Sequence, residues 1–200
     1  MNKLAIATNN KKKLIEINEL FEHNEINNIQ LYSISDLDIV SDPDEDGSTL
    51  EENALIKAKS LFKKTNIPTI ADDTGLFVEA LDGKPGVKSA RYASDSANDE
   101  QNRELLLSEL SNSTNRYAHF KTTICYLDGD GHHFFNGICE GAIAVVEKGN
   151  NGFGYDPIFI PNNYDVTFAE MNPEIKNSIS HRHNALAGFI NWYKESDLIT

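Results

Sequence analysis

The chain reads as a mixed α/β protein. In its first half short apolar runs alternate with amphipathic helical segments, and in its second half the hydrophobic period changes to two. Residues 3–8, KLAIAT, are a nearly continuous apolar run and predict a short buried strand. TNN at 8–10 supplies three N-cap types ahead of a helix on which Leu14, Ile17, Leu20 and Phe21 share a face. A second strand is expected near 30–34, followed by DPDEDGS at 42–48, whose Pro, Gly and acid density reads as a loop. Thr49 to Lys64 predicts a helix with Leu50, Ala54, Ala58, Leu61 and Phe62 on one stripe. TIA at 69–71 then predicts a short strand that delivers Asp72 and Asp73 at its end. Residues 98–110 predict another helix, through Leu105, Leu106 and Leu110. From Tyr117, the residues Phe120, Thr122, Ile124 and Tyr126 alternate with His119, Lys121, Thr123 and Cys125. DGDG at 128–131 turns that strand back at His132–Phe135, and Gly137 to Val146 continues the sheet. Ser180 predicts the start of a last helix carrying Ala185, Leu186, Phe189, Ile190 and Tyr193. No repeat or low-complexity linker interrupts the 200 residues, which suit a single domain spanning 1–200.

Composition narrows the function classes. With 40% hydrophobic and 24% charged residues the chain has an ordinary globular make-up. A net charge of −13 argues against a nucleic-acid polymer as partner, because such binding rests on phosphate neutralisation by Lys and Arg. It leaves room for a small anion in a local basic pocket, and Lys11, Lys12 and Lys13 supply positive charge together. No stretch approaches 18 apolar residues, and LAIAT lies too close to Met1 for a signal-peptide pattern. Cys125 and Cys139 lie in apolar strand-like runs with no CxxC or His partner pattern and read as buried, reduced thiols. The cytoplasm is the expected compartment.

Five segments could carry chemistry, and each has a plain structural alternative. TNNKKK at 8–13 sits between a strand and a helix, where free N–H groups and the dipole favour phosphate; the alternative is a capped helix with solvated lysines. It is not a Walker loop, since GxxxxGK is absent. In EDGSTLEENALIKA at 45–58, Asn53 and Lys57 form an i, i+4 pair on one side of the helix. That polar side could gather a hard cation and phosphate oxygens, while acids such as Glu51 in the first turn could equally just complement the helix dipole. In ADDTG at 71–75, Asp72 and Asp73 point to opposite sides unless Gly75 supplies a bend, and the choice lies between a metal site and a polar turn. The haloacid-dehalogenase motif DxDxT is a rival, but the spacer between the acids is missing. NNGFGYDP at 150–157 offers glycines that admit a ligand and aromatic faces that can stack on a base, or an irregular loop with partly buried rings. KNSISHRH at 176–183 places cations and donors near a helix start and lacks a zinc pattern.

Taken in order, TNNKKK, EDGSTLEENALIKA, ADDTGL, PGVKSARY, GFGYDPIF and KNSISHR resemble the inosine triphosphatase (RdgB/HAM1) family of purine nucleoside triphosphate pyrophosphatases. The resemblance runs from about residue 3 to residue 192. It implies a mixed, elongated central sheet flanked by helices, two lobes with an active-site cleft between them, and usually a homodimer. It implies Mg²⁺-dependent hydrolysis of the non-standard purine nucleotides ITP, dITP and XTP to the monophosphate and pyrophosphate, which cleanses the nucleotide pool. Carried onto this sequence, Thr8, Asn9, Asn10, Lys11, Lys12 and Lys13 match the triphosphate-binding segment, with Asn9 standing where the family often has Gly. Glu45 and Asp73 match the magnesium positions, and Asp73 also matches the general base. Glu52 is an alternative metal ligand or support, and Lys57 matches a lysine that offsets phosphate charge. Thr74 falls beside the substrate. Phe153, Gly154, Tyr155 and Asp156 resemble the nucleoside loop, in which the Phe stacks on the base. Lys176, His181 and Arg182 match the remaining nucleotide-binding positions, the last two as readers of the 6-oxo group. Asp72 is expected to support the loop after the strand. A Maf-type nucleotide pyrophosphatase of different base preference is the near alternative, and a non-catalytic nucleotide-binding module the distant one.

Overall fold

The computed structural model describes residues 2–24, 26, 28–41 and 43–196. Met1, and Asp42 of the acidic loop, lie outside the described residues. The chain is mixed α/β, with strands β1 (Asn2–Ile6), β2 (Ile29–Ser33), β3 (Thr69–Val78), β4 (Pro85–Gly86), β5 (Tyr117–Leu127), β6 (His132–Ile143) and β7 (Phe159–Pro161). The helices are α1 (Lys11–His23), α2 (Leu50–Thr65), α3 (Asp99–Glu109), α4 (Pro173–Ile179) and α5 (His181–Glu195). Among the described residues the strand order is β2-β1-β3-β5-β6-β7, with β4 paired to β3. β1 runs parallel to β2 and to β3, whereas the β3–β4 and β6–β7 pairs are antiparallel.

Two compact units divide the chain. The first comprises residues 1–73, 122–137 and 182–200; the second comprises 74–121 and 138–181. The first unit has two apolar clusters. In one, the predicted faces of α1 (Ile17, Leu20, Phe21) and α5 (Ala185, Leu186, Phe189, Ile190, Tyr193) pack with Leu4, Ile6, Ile70, Ile124 and Tyr126. In the other, Ala54, Ala58 and Leu61 of α2 pack with Ala5, Ala7, Ala71, Cys125 and Leu127. The second unit has its own core, built from Leu76, Val78, Leu106, Leu110, Phe120, Tyr155, Phe159 and Phe168 among others.

The cap read at residues 8–10 forms as expected, and the structure adds caps at two further helix starts. Asn10 caps α1 by accepting from the Lys12 and Lys13 amides, and Thr49 caps α2 by accepting from the Glu52 amide; each such cap is worth about 1 kcal/mol. Asn98 and Gln101 close a reciprocal capping box on α3. Two expectations change. The strand expected at 69–71 continues to Val78, so Asp72, Asp73 and Thr74 lie within β3 and not at its end. Gly75 supplies no bend: a Cβ there would lie 2.6 Å from the Gly86 carbonyl oxygen, so glycine is needed for the close approach of β4. The other change is in β5, whose alternation stops at Thr122, beyond which both faces are buried through Leu127.

Cys125 and Cys139 are both buried and free. Burial pushes their thiols up, to about 12 and about 11, which leaves almost no thiolate at neutral pH. A maleimide reagent is therefore expected to leave the native protein unlabelled over the time in which the urea-unfolded chain labels fully. Labelling at equal rates would show that these strands open readily. Among the described residues no helix is long and apolar enough to cross a membrane.

Candidate active site

In the first unit β1 ends at Ile6 and hands the chain to the loop Ala7–Asn10. Here Thr8 Oγ1 accepts from the Asn10 amide at 3.2 Å, and Asn10 Oδ1 accepts from the Lys12 and Lys13 amides at 3.0 and 3.4 Å. Two amides of the helix start are thus satisfied within the chain, and positive charge for an anion must come from side chains. Lys11 and Lys12 are exposed. Lys13 turns inward, its Nζ 2.8 Å from Asp72 Oδ2. Burial lowers the Lys13 pKa, although the Asp72 carboxylate opposes this.

The alternation of β3 sends its two aspartates to different partners. Asp72 meets Lys13 and, at 3.6 Å, Nε of Arg182, whose guanidinium also pairs with Glu16. Burial alone would raise the Asp72 pKa, but Lys13 and Arg182 beside it hold the carboxyl well below the usual carboxylate range. Asp72 is thus a charge-balancing acid between two buried cations. Arg182, only 3 % exposed, stands against these acids at the start of α5.

Asp73 meets α2. Lys57 Nζ lies 2.8 Å from Asp73 Oδ1 and 3.0 Å from Glu45 Oε2, so one ammonium joins the two acids. Asn53, one helical turn earlier, donates from Nδ2 to Asp73 Oδ2 at 3.3 Å and accepts the Gly47 amide on Oδ1 at 2.9 Å. The i, i+4 pair seen in the sequence therefore closes on Asp73 from one helix face. Asn53 was legible as a neighbour of Lys57; that its amide also ties down the loop carrying Glu45 was not. Burial pushes the Asp73 carboxyl up; Lys57 pulls the other way, and the Glu45 charge adds to the rise. Burial would lower the Lys57 pKa, but Asp73, Asp72 and Glu45 together hold it above its ordinary value. The ammonium stays charged, and Asp73 is a stronger base than a solvated aspartate.

A cavity of about 180 Å³ lies over these groups, lined by Thr8, Asn9, Lys13, Glu45, Lys57 and Asp72 among others. Glu52 does not join them: its Oε2 accepts from the Ser48 amide and hydroxyl at 2.6 and 2.7 Å, which commits it to the start of α2. Among the described residues no group of three or more acid, His or Cys side chains is placed to enclose a metal ion. Glu45 and Asp73 nevertheless share one cation in the Lys57 ammonium, and a pair of hard carboxylates suits a divalent ion that keeps water and phosphate as its other ligands.

In the second unit, loop 152–156 gathers Phe153, Gly154, Tyr155, Asp156 and Lys176. Gly152 has φ +77° and a Cβ there would fall 2.0 Å from Asp156 Oδ2, so only glycine fits. Asp156 Oδ2 accepts from the Phe153 amide and from Lys176 Nζ, each at 2.8 Å. The same ammonium lies 5.2 Å from the centre of the Phe153 ring. Tyr155 is buried and its hydroxyl donates to the Ser89 carbonyl at 2.8 Å. The four residues read together from sequence thus divide: Tyr155 and Asp156 anchor the loop inward, while Phe153 and Gly154 stay half-exposed. Thr74 is half-buried on β3. His181 is buried and stacks on Phe120 with ring centres 4.5 Å apart.

Carboxylates and lysines gathered beside one cavity on a mixed α/β sheet define a class of site suited to a small anion together with a cation. The chain belongs to the Ham1 family, which matches residues 4–192. It is 44% identical over 191 residues to a dITP/XTP pyrophosphatase of Flavobacterium psychrophilum, covering 96% of this chain and 98% of that one. It is 46% identical over 188 residues to a dITP/XTP pyrophosphatase of Porphyromonas gingivalis, covering 94% and 95%. Among solved structures, the Staphylococcus aureus Ham1 protein superposes with a TM-score of 0.88 at 40% identity over 97% of this chain and 99% of that one. A HAM1 protein from Coxiella burnetii does so with a TM-score of 0.90 at 37% identity, over 98% and 100%.

Proposed function

We propose that the chain is a nucleoside triphosphate pyrophosphatase that removes dITP, ITP and XTP from the nucleotide pool by releasing the monophosphate and pyrophosphate. The observation that carries this reading is the convergence of Glu45 and Asp73 on Lys57 beside a cavity lined by Thr8, Asn9 and Lys13. Relatives covering nearly the whole chain bear the name dITP/XTP pyrophosphatase, which supports the substrate class. Asp73 takes the proton of the attacking water as it closes on the α-phosphorus, a role that its raised pKa favours. Asn53 fixes the orientation of that carboxylate. Lys13 and Lys57 meet the negative charge of the triphosphate, and positioning with electrostatics carries most of the rate. Mg²⁺ would be held by Glu45 and Asp73 and supplies further neutralisation of the phosphate charge.

Phe153 stacks on the purine, while Lys176, His181 and Arg182 serve the nucleotide, the last two favouring a 6-oxo over a 6-amino group because a donor facing adenine would meet another donor. The chain works as one functional domain, as a homodimer in the cytoplasm, with no nucleic-acid polymer or membrane as partner. Incubating the purified protein with ITP, XTP, dATP and GTP in the presence of Mg²⁺, with identification of the product, tests this. Pyrophosphate released from ITP and XTP in preference to dATP and GTP is expected. Orthophosphate as the product would overturn the reaction, and equal use of dATP would overturn the base preference.

A further inference from the structure

Phe153 can stack on a base only if the loop that carries it is held still, and its neighbour Gly154 has no side chain to anchor. Gly154 adopts φ +60°, and nothing lies within 4 Å of where a Cβ would stand, so only its peptide groups can be gripped. Both are. The Gly154 amide donates to Asp99 Oδ2 at 2.8 Å, and the Gly154 carbonyl accepts from Arg103 Nη1 at 2.8 Å.

Asp99 and Arg103 are i and i+4 on α3, so they stand on the same face one turn apart. The Asn98–Gln101 capping box sets the first turn from which Asp99 projects. The Arg103 guanidinium is oriented from its other side by Glu147, whose Oε1 lies 2.9 Å from Nε. On the far side of Phe153, its own amide is held by Asp156. The backbone is therefore fixed on both flanks of the aromatic residue.

We propose that Asp99 and Arg103 are positioning residues for the purine base, acting through the peptide groups of Gly154 to pre-set the Phe153 ring. Neither residue touches the base itself. Their effect is to remove the ordering cost that a loose loop would charge against binding. This rests on the assignment of loop 150–157 to the base.

The test compares Arg103→Ala, Asp99→Ala and Phe153→Ala. Both clamp variants should raise KM for ITP by about tenfold, the scale of one immobilised segment, while kcat is retained. Inhibition by inorganic tripolyphosphate, which has no base, should be unchanged in all three, a split that general loss of structure would not produce. Arg103→Lys, which keeps a donor for the Gly154 carbonyl, should recover part of the ITP affinity. A normal KM in both clamp variants, with KM raised in Phe153→Ala, would overturn the clamp alone. A normal KM in Phe153→Ala would overturn the assignment of the loop and the clamp with it. Should Arg103→Ala fail to fold, the exposed Asp99 carries the comparison by itself.

Discussion

Asp73→Asn is expected to lower kcat by about two to four orders of magnitude, the usual contribution of a general base, with ITP binding retained. The amide cannot accept the proton of the attacking water, yet it keeps the shape of the carboxyl, and its one oxygen can still accept from Lys57, the bond to Asn53 being given up. Lys57 also keeps its second partner, Glu45, so the cation is not stranded. The loss should therefore appear in single-turnover kinetics and not in equilibrium binding of ITP. The proton affinity of Asp73 matters here, because burial and the nearby Glu45 charge hold its pKa above that of an ordinary aspartate against the pull of Lys57. Full turnover by the variant would exclude Asp73 as the base, and loss of ITP binding would make its main role electrostatic.

Asp72→Asn is expected to act on stability. The Asp72 side chain is 5 % exposed, and its cation partners Lys13 and Arg182 are 17 % and 4 % exposed. Removing the one acid that faces both leaves buried positive charge uncompensated, which costs about 3 kcal/mol, the low end for a broken buried pair because Arg182 retains Glu16. Urea denaturation should show a midpoint lower by about 1 M or more at neutral pH. The pH dependence follows from the sign of the shift. The folded-state pKa of Asp72 is depressed, so its contribution is complete above the ordinary carboxylate range. It is lost as pH falls through the folded-state value, so wild type and variant should converge in acid. An unchanged midpoint at neutral pH would mean that Lys13 and Arg182 find other acids.

Much of the fold was legible in the residues because its causes are local. Asn10, Thr49 and Asn98 cap helices through contacts within three residues, and the stripes on α1, α2 and α5 follow from the helical period. The i, i+4 spacing of Asn53 and Lys57 already placed both on one side of α2. The extent of β3 was not legible, because DDTG looks like a turn until its acids are seen to be neutralised. Lys13 and Arg182 lie far from Asp72 in sequence, as Lys57 does from Asp73, and no local pattern announces such pairs. The clamp on Gly154 was invisible for the same reason, since Asp99 is 55 residues away and Arg103 is 51.

ADDTG by itself left two readings, acids on opposite faces of a strand or a turn bent at Gly75, because alternation holds only while the backbone stays extended. The blocks around it determined the family. Their resemblance already marked Asp73 as the reactive acid and Asp72 as its support; the opposite shifts in proton affinity of the two carboxyls were decided by tertiary structure. That difference depends on the partners folding brings to each face, the cations Lys13 and Arg182 on one side and the Lys57 ammonium with the Asn53 amide on the other. Electrostatic energy in a buried site is set by distances in space, and the order of residues along the chain does not contain them.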